Sequence, residues 1–162
     1  MIRRVRSAGE DGFAAGGEAL AFGVLVFVIG TLLVVNAWGV IDAKLAASAA
    51  AREAARVAVE APGTMNAGEV GAVASATVQQ VLVGLGKDAG RLVDVELGAE
   101  QTAPDAPLSR CQRVTVTVTY RVPTIVLPWV GGLGNGFRVV GSHSELVDPF
   151  RSGLPGEARC GR

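Results

Sequence analysis

Cys111, Cys160 and the single histidine, His143, are the residues of this chain with the widest chemical range. Ser142 and Ser144 flank His143, and Glu145 follows it by two positions. A Ser–His–acid relay needs all three side chains to converge. Neighbours along a strand point to opposite faces, so His143 and Glu145 share a face and the serines do not. That spacing suits a structural pair and no catalytic set. The cysteines lack CxxC spacing and stand far from His143, which leaves no zinc pattern. They can form one disulfide in an oxidising compartment, or remain two thiols in a reducing one. Residues 131–136 are glycine-rich but open no helix, so a phosphate loop is not expected. Asp94, Glu96, Glu100 and Asp105 lack the spacing of a calcium loop and read as solvated surface. No catalytic residue, metal ligand or cofactor is expected, and the chain reads as a non-enzyme.

Glu18 is a different kind of candidate. It stands at the edge of an uncharged stretch, 19–41, whose only polar side chains are Thr31 and Asn36. An acid at the rim of an apolar segment is costly unless paired, which marks it as a functional candidate. Residues 19–41 would form a helix of roughly 35 Å, enough to cross a bilayer. Arg3, Arg4 and Arg6 precede the segment, while Asp42 and Lys44 beyond it offset each other. The positive-inside rule then puts the N-terminus in the cytoplasm and the rest outside. Trp38 suits the outer lipid interface. A cleaved secretory signal is the competitor, but its apolar core would be shorter. Fifteen basic residues balance fifteen acidic ones, so nothing in the charge favours a nucleic-acid partner.

Nothing breaks the helix after 41. The alanine-rich stretch 42–61 continues it, and the first firm stop is Pro62-Gly63. One helix is expected from about Phe13 to Glu60, with Arg52, Glu53, Arg56 and Glu60 exposed and Leu45 and Val57 marking the packing side. Gly16, Gly23 and Gly30 recur every seven residues, with Ala37 continuing the series. Seven residues are close to two turns, so these small residues share a face where another helix can approach in lipid.

The rest reads as a small domain. Asn66 and Glu69 have the spacing of a capping box for a second helix carrying Val70, Val73, Ala74, Val78 and Leu82, which Gly84 and Gly86 would end. Three strands follow. The first is 91–97, with Val93, Val95 and Leu97 on one side. The second, 113–122, alternates strictly, with Val114, Val116, Val118, Tyr120 and Val122 facing one way. The third, 136–147, is interrupted by Gly141. Residues 98–110 form a loop, and the apolar, glycine-rich connection 123–136 folds over the sheet or touches lipid or another subunit.

The N-terminal run Gly12-Phe13, then Gly16-Gly17-Glu18 and the apolar helix, resembles the TadE-like family of tight-adherence pilus proteins. The stretches 114–120, 123–129, 142–145 and 147–153 resemble it too. The resemblance implies a membrane-anchored pseudopilin or minor pilin that assembles by helix–helix contact. Gly12 and Phe13 would flank a prepilin peptidase cut, and Glu18 would meet the new amine of a neighbour. Glu18 stands sixth after that cut, where type IV prepilins usually place their glutamate fifth. The implied partners are the lipid bilayer, other pilin-like subunits and the pilus assembly machinery. The alternative is a signal-anchored extracytoplasmic binding protein with no pilus role. The expected layout is α+β and pilin-like: a leader (1–18), a transmembrane helix (19–41), its continuation (42–61), an extracytoplasmic domain with a second helix and a three-stranded antiparallel sheet (62–150), and a flexible tail (151–162).

Overall fold

The computed structural model describes residues 11–99, 105–127, 131–133 and 136–160. One helix, α1 (Asp11–Glu60), spans 50 residues, about 75 Å at 1.5 Å per residue. A second helix, α2 (Ala67–Gly84), packs beside its C-terminal half. Five strands follow: β1 (Leu92–Ala99), β2 (Arg113–Val122), β3 (Ile125–Leu127), β4 (Gly131–Leu133) and β5 (Phe137–Leu146). β1, β2 and β5 form a three-stranded antiparallel sheet in that order, and β3 pairs with β4 as a separate hairpin. The layout is α+β, with both helices covering one face of the larger sheet.

α1 changes character along its length. From Gly17 to Asp42 no residue is buried, and the exposed side chains include Leu20, Phe22, Phe27, Leu33 and Trp38. Between Ala43 and Ala58 every buried position is an alanine: 43, 46, 47, 50, 51, 54, 55 and 58. The expected packing side is therefore wrong. Leu45 is 65% exposed and Val57 is only half-buried. The reason lies across the interface at Gly141 of β5. A Cβ built on Gly141 would stand 2.5 Å from the Ala47 carbonyl carbon and 2.5 Å from the Ser48 nitrogen. Helix and strand backbones meet there, and only alanine is short enough to line such an approach. A leucine on that side would hold the layers apart. Gly141 accordingly does not interrupt its strand; β5 runs unbroken past it in register with β2.

Local chemistry sets α2. The Asn66 side chain accepts from the Glu69 amide at 2.8 Å, and the Glu69 carboxylate accepts from the Asn66 amide at 2.9 Å. This reciprocal cap satisfies two of the helix's orphan donors. Val70, Ala74, Val78 and Leu82 form its buried face. Gly86, with φ of +70°, turns the chain away in a conformation that glycine adopts without strain.

β2 is the centre of the sheet, with Val114, Val116, Val118, Tyr120 and Val122 all buried. β1 departs from the expected alternation. Leu92 lies opposite Tyr120 and Asp94 opposite Thr119, so Val93 is an extra residue in a bulge. Val93 is turned outward, and Leu92, Val95 and Leu97 pack against the core instead. The core has two parts. One gathers Ala74, Val78, Leu82, Val116, Val118 and Tyr120 against α1, and the other joins Ala58, Val70, Leu108, Val114, Val147 and Leu154.

Leu154 in that second cluster belongs to the stretch expected to be a loose tail. It is docked at three points. The Arg151 guanidinium donates to the carbonyls of Val59, Glu60 and Ala61, the last at 2.7 Å. These are end-of-helix carbonyls of α1 that lack partners within the helix. The Arg110 amide donates to the Pro155 carbonyl at 2.9 Å. Finally, Cys111 and Cys160 are joined as a disulfide with Cα atoms 5.1 Å apart.

Candidate functional site

The sequence candidates fall at opposite ends of a long body. Gly12, Phe13 and Gly16 lie on the first turns of α1, and Glu18, Gly23 and Gly30 follow on the same helix. The basic residues Arg3, Arg4 and Arg6 lie outside the described residues, as do Trp129 and Val130 of the apolar connection. Glu18 is exposed, and a Cβ added at Gly23 or Gly30 would meet no atom within 4 Å. Gly23 and Gly30 thus face open space on the single chain. The seven-residue spacing drifts by only about 20° per repeat on a straight helix, so they stay on one side.

The apolar part of α1 carries its own polar satisfaction. Thr31 Oγ1 donates to the Phe27 carbonyl and Asn36 Nδ2 to the Leu32 carbonyl, each at 2.8 Å. Both bonds return to the preceding turn of the same helix, which suits surroundings that offer no water. By length and composition this is one helix able to cross a membrane.

His143 and Glu145 point to the α1 side of β5, and their Nε2 and Oε1 atoms are 3.5 Å apart. Ser144 faces the other way and bonds Thr115 across the strands at 2.8 Å. Neither of the flanking serines, Ser142 and Ser144, is therefore delivered to the imidazole. Among the described residues no three His, Cys, Asp or Glu side chains gather to hold a metal ion.

The face of the sheet away from the helices has no layer over it among the described residues. It presents Thr115, Thr117 and Thr119 of β2 between Asp94 and Glu96 of β1 and Ser142 and Ser144 of β5. At the end nearest the apolar half of α1, a cleft of about 280 Å³ opens between Gly39, Asp42, Lys87, Arg91, Tyr120 and Pro123. Lys87 is ion-paired to Asp42, tying the end of α2 to α1, and Lys44 donates to the Val140 carbonyl, tying α1 to β5. The Tyr120 hydroxyl donates to the Asp88 carbonyl at 3.2 Å. Burial pushes the Tyr120 phenol above its ordinary pKa of 10.0. Sequence reasoning names Asp42 and Lys44 only as charges that offset each other, whereas their partners are Lys87, in a turn with no spacing signal, and the Val140 carbonyl.

The disulfide lies at the far end of the domain, beside Arg110, Arg151 and the C-terminus of α1. It joins the start of β2 to the tail and is separated from Glu18 by most of the length of α1. No family profile, curated protein or solved structure matches the chain.

Proposed function

We propose that this protein is a single-pass membrane protein of pilin-like build, a pseudopilin or minor pilin of a tight-adherence machine that assembles through its N-terminal helix. One observation carries the reading: α1 is a single helix, uncharged and without a buried residue from Ala19 to Ile41, then packed through alanines into a small α+β domain. An apolar surface on all sides of a helix demands a covering, and lipid followed by neighbouring helices supplies it. Glu18 and the glycines at 16, 23 and 30 are the assembly contacts in this reading. The domain lies outside the cytoplasm, where its disulfide persists. Gly12 and Phe13 flank the proposed leader cut.

The test uses the full-length chain expressed with its secretion machinery. Mass spectrometry of the membrane-extracted protein should find a chain that begins at Phe13. Lateral crosslinks from positions facing Gly23 and Gly30 should join it to other subunits, and Glu18→Ala should deplete those adducts. A chain that leaves the membrane with salt alone would sink the anchor. An intact leader, with crosslinks indifferent to Glu18→Ala, would favour the second reading, a signal-anchored binding protein. That reading draws on the uncovered Thr/Ser face of the sheet.

A further inference from the structure

Although the chain is neutral overall, the end of the domain nearest the apolar rod is basic. Lys44, Lys87, Arg91, Arg121 and Arg138 gather there against three carboxylates, Asp42, Asp88 and Asp94. The level follows from register. Gly141 rests on Ala47 and Ser48, and Arg138 is three residues nearer the rod, about 10 Å along the strand. The same distance on a helix takes about six to seven residues. Arg138 and its cross-strand partner Arg121 therefore stand level with Ile41, where the apolar stretch ends.

These two arginines differ from the other bases. Lys87 pairs with Asp42, and Arg91 with Asp88 at 3.4 Å. Arg121 and Arg138 are exposed, lie directly opposite one another, and make no ion pair among the described residues. Asp94, the nearest acid on that face, is opposite Thr119, one diagonal away. Like charges directly opposite oppose sheet pairing, so the fold gains nothing from them. An anion outside the chain would relieve them. Just beyond, β3 lies against α1, and its residues are Ile125, Val126 and Leu127. Trp38 is 70% exposed at the same end.

We infer that this end of the domain is a foot that seats on acidic phospholipid, with Arg121 and Arg138 taking headgroup phosphates. The inference rests on the membrane reading above. Lipid is the occupant because Arg121 and Arg138 stand level with Ile41, where the apolar stretch ends, at the depth where headgroups lie. Arginine matches phosphate oxygens with paired donors. Each basic residue near an anionic surface biases seating by about fivefold.

The test is hydrogen exchange on the full-length chain in nanodiscs of phosphatidylcholine alone, or mixed three to one with phosphatidylglycerol. Backbone amides of residues 121–122, 124–127 and 137–138 should exchange more slowly in the mixed lipid. Arg121→Glu with Arg138→Glu should lower the seated-to-free ratio by more than the roughly 25-fold that loss of two positive charges gives, at about fivefold each, and abolish the lipid dependence. Arg121→Gln with Arg138→Gln serves if the reversal unfolds the domain, with unchanged exchange at 114–118 showing that it has not. Protection of 19–41 in both lipids reports the anchor separately. If that protection is missing, the membrane reading itself fails. If it is present and 121–138 exchange equally in both lipids, lipid docking is overturned. Protection in neutral lipid that grows with protein concentration assigns the face to a second copy, and overturns it too.

Discussion

Replacing Gly141 by alanine tests the contact on which the whole domain is mounted. The new methyl would sit 2.5 Å from the Ala47 carbonyl carbon and the Ser48 nitrogen, and 2.7 Å from the Ala47 oxygen, where ordinary contact begins at 3.4 Å. No rotamer relieves this, because all three atoms are backbone. The sheet and α1 must part by about 1 Å, and a gap of that size forfeits a quarter to a half of each dispersion contact along the alanine seam. Overpacking usually costs about 1–3 kcal/mol, and a backbone-on-backbone clash belongs at the upper end. For a domain near 100 residues, about 3 kcal/mol lowers Tm by about 15 °C. Thermal unfolding of the full chain in detergent, followed by circular dichroism, reads this directly. Gly30→Ala is the control, since its methyl meets nothing and an alanine in mid-helix is mildly favourable. Ala47→Gly should give no rescue, because the obstructing atoms are not side chain. An unchanged Tm for Gly141→Ala would refute the close approach of α1 to β5, as would full rescue by Ala47→Gly.

Three further outcomes are expected. Arg151→Ala should cost about 2 kcal/mol by stripping the carbonyls of Val59, Glu60 and Ala61 of a charged donor; denaturant unfolding checks it, and Arg151→Lys should recover only part. Reducing the disulfide between Cys111 and Cys160, which are 49 positions apart, should cost up to about 4 kcal/mol in the chain-entropy account, seen as a lower Tm with dithiothreitol. Tyr120, its phenol raised by burial from 10.0, holds its proton more tightly when folded. Its contribution is complete below pH 10 and is lost as pH rises through the raised value. Alkaline unfolding should begin at lower pH in the parent than in Tyr120→Phe, once both are normalised to neutral pH.

The parts of this fold legible in the sequence are those governed by local rules. Asn66 and Glu69 announce α2 because a capping box is a four-residue device. The alternation of 113–122 announces β2 because one face of it is buried without exception. Other parts depend on partners remote in sequence. Alternation along 91–97 puts Val93 with Val95 and Leu97, but the bulge that turns it outward is set by what lies across the strand, not along it. Hydrophobicity gives Leu45 the packing side, whereas the approach of Gly141 excludes any side chain longer than alanine. The β3–β4 hairpin hid in a stretch whose glycines read as a loop. The tail reads as loose unless Cys160 holds it, which it does; the second tie, Arg151 at the end of a helix 90 residues earlier, is set by a partner too remote to read. At the candidate site, Glu18 and the glycine series could be read from the apolar edge and the repeat, while the facing arginines of β2 and β5 required the strand register.

The alanine seam also bears on how the molecule carries load. An interface of methyl groups has no large knobs locked into holes, so it resists separation well but sliding poorly. If the apolar end is pulled along its axis while the globular end is held, the seam is loaded in shear. Resistance then concentrates at the polar ties, Lys87 to Asp42 and Lys44 to Val140 at one end and Arg151 at the other. The spine is in effect a smooth rail with a clamp at each end, and traction would act on those clamps before it reached the core.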